Sequence, residues 1–167
     1  MLPDTFNGLP LHSLTVHATV VLVPLAGLLG VLFAIPRSRG WATIPLPLVA
    51  AGAALSTWVS IQTGEALQDA GGRNAAGLDG PLADLIDQHA ELADQLQVMV
   101  IVYAGVAILA AVVALAKRGS GAVLTALGVL LVLGAVVISI QTYRVGDLGA
   151  QAVWNPTGDV DYGAADD

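Results

Sequence analysis

Cysteine is absent from the 167 residues, which excludes a disulfide framework, a thiolate metal site, an iron–sulfur cluster, an attached c-type haem and a lipoprotein anchor. Any metal or cofactor must be held by nitrogen and oxygen ligands. Charge is scarce too. Charged residues make up 11% of the chain against 56% apolar ones, and six Lys and Arg cannot cover the outside of a water-soluble globule of this size. A formal charge of -7 offers no basic face to nucleic acid. The solvent for most of this chain is the lipid bilayer. Also missing are a Glu-x-x-His pair, a His-Glu-x-x-His helix, a nucleophile tied to a positioned base and a phosphate-cradling Gly-rich loop, which points away from an enzyme.

What is present is apolar sequence gathered into uncharged runs over 14–35, 41–61, 96–116 and 122–140. Each is about twenty residues, enough to cross a hydrocarbon core of about 30 Å as a helix. No basic region precedes the first run and the basic Pro36-Arg37-Ser38-Arg39 follows it, so it reads as a retained span rather than a cleaved signal. The expected fold is an all-α, integral membrane four-helix bundle occupying residues 1–154. Pro24, Pro45 and Pro47 are expected to kink or loosen the first two spans.

Arg37 and Arg39 occupy one tight connection, Lys117 and Arg118 the other, and every Asp and Glu falls on the opposite side. The positive-inside rule then makes the protein a multi-pass membrane protein with both termini outside, N-out and C-out. Trp41, Tyr143 and Trp154 are placed as interfacial anchors. On the outer side Gly71-Gly72-Arg73-Asn74 is turn-rich, and from Pro81 the residues Leu82, Leu85, Ile86, Leu92 and Leu96 recur at helical spacing. This predicts an amphipathic helix over 81–95 that runs into the third span. Residues 155–167 are acidic and Gly-rich, the composition of a disordered tail.

The two halves resemble each other. Ser60-Ile61-Gln62-Thr63 matches Ser139-Ile140-Gln141-Thr142 at an offset of 79, and His12 answers His89 at an offset of 77. Two parallel helical-hairpin repeats, related by an axis along the membrane normal, are expected.

Chemistry must lie where polar groups approach the membrane. His12, His17 and His89 all fall at the outer end, with Glu65 closing the second span and Asp147 beyond the fourth. Neutral imidazoles with one or two carboxylates suit zinc, copper or iron, and two imidazoles on different helices suit a b-type haem. His12 and His17 stand about 140° apart on a helix, so the more plausible pairings are across helices, with His89. The competing readings are a solvated interfacial histidine at His12, a helix end in water at Glu65 and a surface ion pair between Asp147 and Arg144.

Leu9 to His17, then Gln62 to Leu67, His89 to Leu92, and Arg144 to Trp154 together resemble the family called domain of unknown function 2231, over nearly the whole stretch from Phe6 to Trp154. The resemblance implies a small bacterial four-helix membrane protein and brings no activity with it. It implies that His12, His17, Glu65 and His89 occupy the family's characteristic polar positions. Relatives often carry Gly-His where this chain has Gly146-Asp147, and often a proline at Ser13. The Asp147 departure weakens any ligand role there. Some relatives are joined to c-type cytochrome modules, an analogy that favours a redox context.

Two functions are expected from these residues: a metal or b-haem site at the extracytoplasmic end, serving electron transfer or metal handling, or a non-catalytic accessory subunit of a larger respiratory or transport complex in the membrane. The acidic outer face could also dock a basic extracytoplasmic protein by electrostatic steering.

Overall fold

The computed structural model describes residues 5–74, 80–116 and 121–160. A two-residue hairpin opens the chain, β1 Thr5–Phe6 pairing antiparallel with β2 Leu9–Pro10. Its turn is Asn7-Gly8, with φ of 51° and 80°, the pairing that a type I′ turn demands because both central residues need positive φ. Five helices follow: α1 Leu11–Ala34, α2 Arg39–Ala42, α3 Pro45–Asn74, α4 Pro81–Leu115 and α5 Gly121–Trp154. The four long ones are long and apolar enough to cross a membrane.

The helices outrun the apolar runs that predict them. At about 1.5 Å per residue the 35 residues of α4 reach about 52 Å, well beyond a hydrocarbon core of about 30 Å. The amphipathic segment from Pro81 and the third span are one continuous helix, started by Gly80 at φ 87° and by Pro81, whose missing N–H costs nothing in a first turn. The expected turn at Gly71 to Asn74 is instead the end of α3. Hydrogen-bonded helix geometry extends from the span without a break. Pro45 and Pro47 do not kink a span either, because α3 begins at Pro45 and neither ring displaces an intrahelical hydrogen bond there. Pro24 lies inside α1, which remains one helix. The tail begins with a closed turn, in which Asn155 brackets Val160 through Nδ2 to its carbonyl at 3.0 Å and Oδ1 from its N–H at 3.1 Å. The rest of the tail, and Lys117 and Arg118, lie outside the described residues.

α1 packs against α3 and α5, and α4 packs against the same two helices. That places α1 and α4 on one diagonal of a square, α3 and α5 on the other, each neighbour antiparallel. The first and last described residues, Thr5 and Val160, share one end of the bundle, the terminal end. The bundle core reflects the repeat. Val23 and Val100, Ala26 and Tyr103, Gly30 and Ala107, and Phe33 and Ala110, all spaced by 77, are each buried. In the second helix of each hairpin the register differs from the expected one. Leu46 and Leu131, Ala50 and Ala135, Ala53 and Ile138, and Thr57 and Thr142 are buried pairs at an offset of 85. Thr57 and Thr142 even make the same bond, each hydroxyl donating to the carbonyl one turn earlier, at 2.8 and 2.7 Å. The four-residue match at 79 therefore does not mark equivalent places. Six residues of helix turn a side chain about 240°, which leaves Ser60 buried and Ser139 exposed.

Small residues let the backbones close in. A Cβ at Gly128 would stand 3.0 Å from the Ala34 Cα, and one at Gly27 3.3 Å from the Ala135 Cβ. One large side chain crosses this core: Tyr103, whose hydroxyl donates to the Ala26 carbonyl at 3.0 Å.

Candidate two-histidine site

His12 sits in the first turn of α1, immediately after the hairpin, half-buried. Its Nδ1 is 2.9 Å from the Ser60 carbonyl on α3. A carbonyl can only accept, so Nδ1 carries the hydrogen and donates, and in the neutral ring Nε2 is left with its lone pair. One turn beyond Ser60 comes Gly64, where a Cβ would stand 3.2 Å from both Cε1 and Nδ1 of the imidazole. The ring rests on bare backbone.

His89 repeats this arrangement in the other hairpin. It is half-buried in α4, and its Nδ1–H donates to the Val145 carbonyl of α5 at 2.9 Å. Gly149, again four residues after the anchoring carbonyl, would put a Cβ 3.0 Å from Cε1 and 3.3 Å from Nδ1. Ser60 and Val145, and Gly64 and Gly149, are separated by the same 85 residues that relate the buried positions of α3 and α5. Two pseudo-equivalent imidazoles thus come from diagonal helices to the middle of the terminal end. Their centroids are 6.3 Å apart and their planes perpendicular, at 89°.

The remaining expected ligands are elsewhere. His17 is exposed and donates back to the Ser13 carbonyl of its own helix at 2.6 Å, as its angular distance from His12 requires. Glu65 is exposed and accepts from Gln62 Nε2 at 3.0 Å. Asp147, also exposed, accepts from Gln151 Nε2 at 2.9 Å, while Arg144 donates to Gln141 Oε1 at 3.3 Å. Helical neighbours at three- and four-residue spacing have taken both groups of the expected ion pair. Among the described residues no group of three or more His, Cys, Asp or Glu is arranged to hold a metal ion.

A matching profile of predicted membrane proteins, DUF2231, covers residues 8–161. The chain belongs to the DUF2231 family. No curated protein and no solved structure matches it. In this DUF2231 chain the polar residues below the histidines form a floor rather than a second site. Thr15 and Thr63 hydroxyls meet at 3.0 Å, and Thr19 meets Ser60 at 3.0 Å and donates to Ser56 at 3.3 Å. On the opposite side Gln141 Nε2 donates to the Leu92 carbonyl at 3.0 Å and to Gln95 Oε1 at 3.4 Å. Below them the interior is closed by Leu96, Val100, Ile138 and Tyr103. The described acids, among them Glu65, Asp84, Asp87, Glu91, Asp94 and Asp147, are exposed at the terminal end, whereas Arg37 and Arg39 belong to the connection at the other end.

The sequence carried a signal for the anchors that composition does not reveal. Each is a glycine four residues after the carbonyl that fixes a histidine, but only a structure says which carbonyl that is.

Proposed function

We propose that this multi-pass membrane protein ligates a transition metal through His12 and His89 and uses it for one-electron transfer on the extracytoplasmic face. The observation that supports the reading is the pair itself: two imidazoles at equivalent positions of two hairpins, each with Nδ1–H spent on a backbone carbonyl. That second bond is what metal-ligating histidines ordinarily make, because it fixes the tautomer and the ring and raises the basicity of Nε2. A solvated interfacial histidine has no need of it. The acidic rim around the pair gives a soluble basic electron carrier a surface to dock on.

Metal analysis of the protein purified from its native membrane in mild detergent tests this. One transition-metal atom per chain is expected, lost in His12→Ala and in His89→Ala and retained in His17→Ala. Protein that holds no stoichiometric metal and takes up neither copper nor haemin would sink the reading, since zinc alone cannot carry an electron.

The sidedness rests on charge. Arg37 and Arg39, with Lys117 and Arg118 in the other tight connection, support a cytoplasmic loop end and an extracytoplasmic terminal end by the positive-inside rule. The natural lack of cysteine makes the check direct. In intact cells a membrane-impermeant maleimide should label Asp159→Cys and leave Arg37→Cys unlabelled until the membrane is opened. The reverse pattern puts the histidine pair in the cytoplasm.

A further inference from the structure

We infer that the metal is the iron of a non-covalently bound haem, held between the His12 and His89 imidazoles; this rests on the metal-ligating reading of that pair. The first argument is the number of donors. Two nitrogens fall short of the four ligands that a zinc site takes from its protein and solvent, and among the described residues no third His, Cys, Asp or Glu joins them. A haem iron brings four nitrogens in its own macrocycle and asks the protein for the two axial positions. The donor set has that size.

The second argument is spacing. Two imidazoles trans on one metal, each bonded at about 2.0–2.1 Å with about 1.1 Å more to the ring centre, put their centroids about 6.3 Å apart. The centroids of His12 and His89 are 6.3 Å apart. The third is what surrounds the line between them. The histidines come from α1 and α4, and at this level the flanking helices α3 and α5 carry Gly64 and Gly149, whose backbone the two rings lie against, so neither residue puts a side chain beside the pair. With no cysteine in the chain, the attachment is by ligation alone.

Arg144 supplies a fourth, independent feature. It adjoins Val145, whose carbonyl anchors His89, and it is exposed at the terminal end, where it donates to Gln141 Oε1 at 3.3 Å. A porphyrin carries two carboxylates, and a guanidinium is the side chain best shaped to pair with one.

Haemin titration of the haem-depleted protein in detergent, followed by absorption and electron paramagnetic resonance, tests the assignment. One haemin per chain is expected, low-spin, with a sharp α band on reduction by dithionite. The perpendicular ligand planes, at 89°, predict a ferric signal dominated by one strongly shifted low-field feature rather than the three-line rhombic signal of parallel planes. His12→Ala and His89→Ala should each lose the low-spin spectrum. His89→Met, which offers haem iron a thioether it accepts, should keep it, so that loss in the alanine variants is not a failure to fold. Arg144→Gln should weaken haem retention several-fold while leaving copper uptake unchanged. If copper binds stoichiometrically at His12 and His89 and haemin does not, haem is the wrong ligand and the metal-ligating reading stands, whereas zinc alone, which carries no electron, overturns electron transfer as well. A low-spin spectrum that persists in both alanine variants marks adventitious haem and overturns the assignment, and a protein that takes up none of the three overturns both readings.

Discussion

Truncating Tyr103 to alanine should cost about 3–5 kcal/mol of stability, the range for removing a buried aromatic from a packed core. The ring is buried and spans the bundle diagonal, and in lipid its contribution comes from packing contacts rather than from escape from water. Tyr103→Phe keeps the ring and removes only the bond to the Ala26 carbonyl, for which about 0.6 kcal/mol is the typical interhelical value in a membrane. The neighbouring glycines make a sharper test possible. A Cβ at Gly30 would overlap the Tyr103 hydroxyl oxygen and stand 3.2 Å from Cζ, and one at Gly134 would fall 2.8 Å from Cδ2. Gly30→Ala therefore has to expel the hydroxyl, an overpacking that costs about 1–3 kcal/mol. In the Tyr103→Phe background that overlap no longer exists. The double variant Gly30→Ala with Tyr103→Phe should be more stable than the two single losses add up to, by a coupling within the range of about 0.5–3 kcal/mol for residues in contact. Unfolding of the purified protein by SDS in mixed micelles measures all four corners of the cycle, and strict additivity would place Tyr103 somewhere other than against Gly30.

The membrane architecture was legible because lipid imposes the coarsest of all sequence patterns, and apolar runs broken by basic connections need no tertiary information to read. What stayed hidden depended on which way a helix faces. Ser60-Ile61-Gln62-Thr63 and Ser139-Ile140-Gln141-Thr142 agree letter for letter, yet the buried faces of α3 and α5 align six residues away from that match, at the offset shared by Thr57 with Thr142 and Gly64 with Gly149. In a sequence this rich in a few residue types, local identity says little about rotation around a helix axis. The histidine spacing of 77 was the better guide, since His12 and His89 meet at the centre and the buried positions of α1 and α4 follow the same offset. The proline expectations failed for a related reason: Pro45 and Pro47 look like helix breakers inside an apolar run, but the helix starts with them. Of the polar groups near the terminal end, angle alone could set His17 apart from His12. It could not show that Glu65 and Asp147 would be occupied by glutamines on their own helices. The N-terminal hairpin was legible in principle from Asn7-Gly8, although two-residue strands give almost no alternating pattern to support such a turn.

Gly149→Ala is expected to separate binding from stability by moving them in opposite directions. Alanine is better than glycine in a helix interior by up to about 1 kcal/mol, so an exposed glycine with free space around it would gain from the change. Gly149 has no such space: a Cβ there would stand 3.0 Å from Cε1 of His89, a contact that real Cβ atoms seldom tolerate, with the same ring already fixed by its 2.9 Å bond to Val145. The imidazole has to give by a few tenths of an ångström, and the motion that relieves the contact pulls Nδ1 off its anchoring carbonyl. The helix keeps much of its propensity gain while the ligand loses its orientation. Losing the bond that orients a metal-bound imidazole costs about 10–100-fold in metal affinity, and the same reasoning applied to Gly64→Ala predicts a smaller loss, because its closest approach to His12 is 3.2 Å. Titration of each variant with haemin and with copper, beside its SDS unfolding curve, reads both quantities. Weaker binding at equal or higher stability is the signature of a glycine kept to seat an imidazole, whereas parallel losses of both would make Gly149 an ordinary packing residue and the two-histidine arrangement an accident of the bundle's repeat.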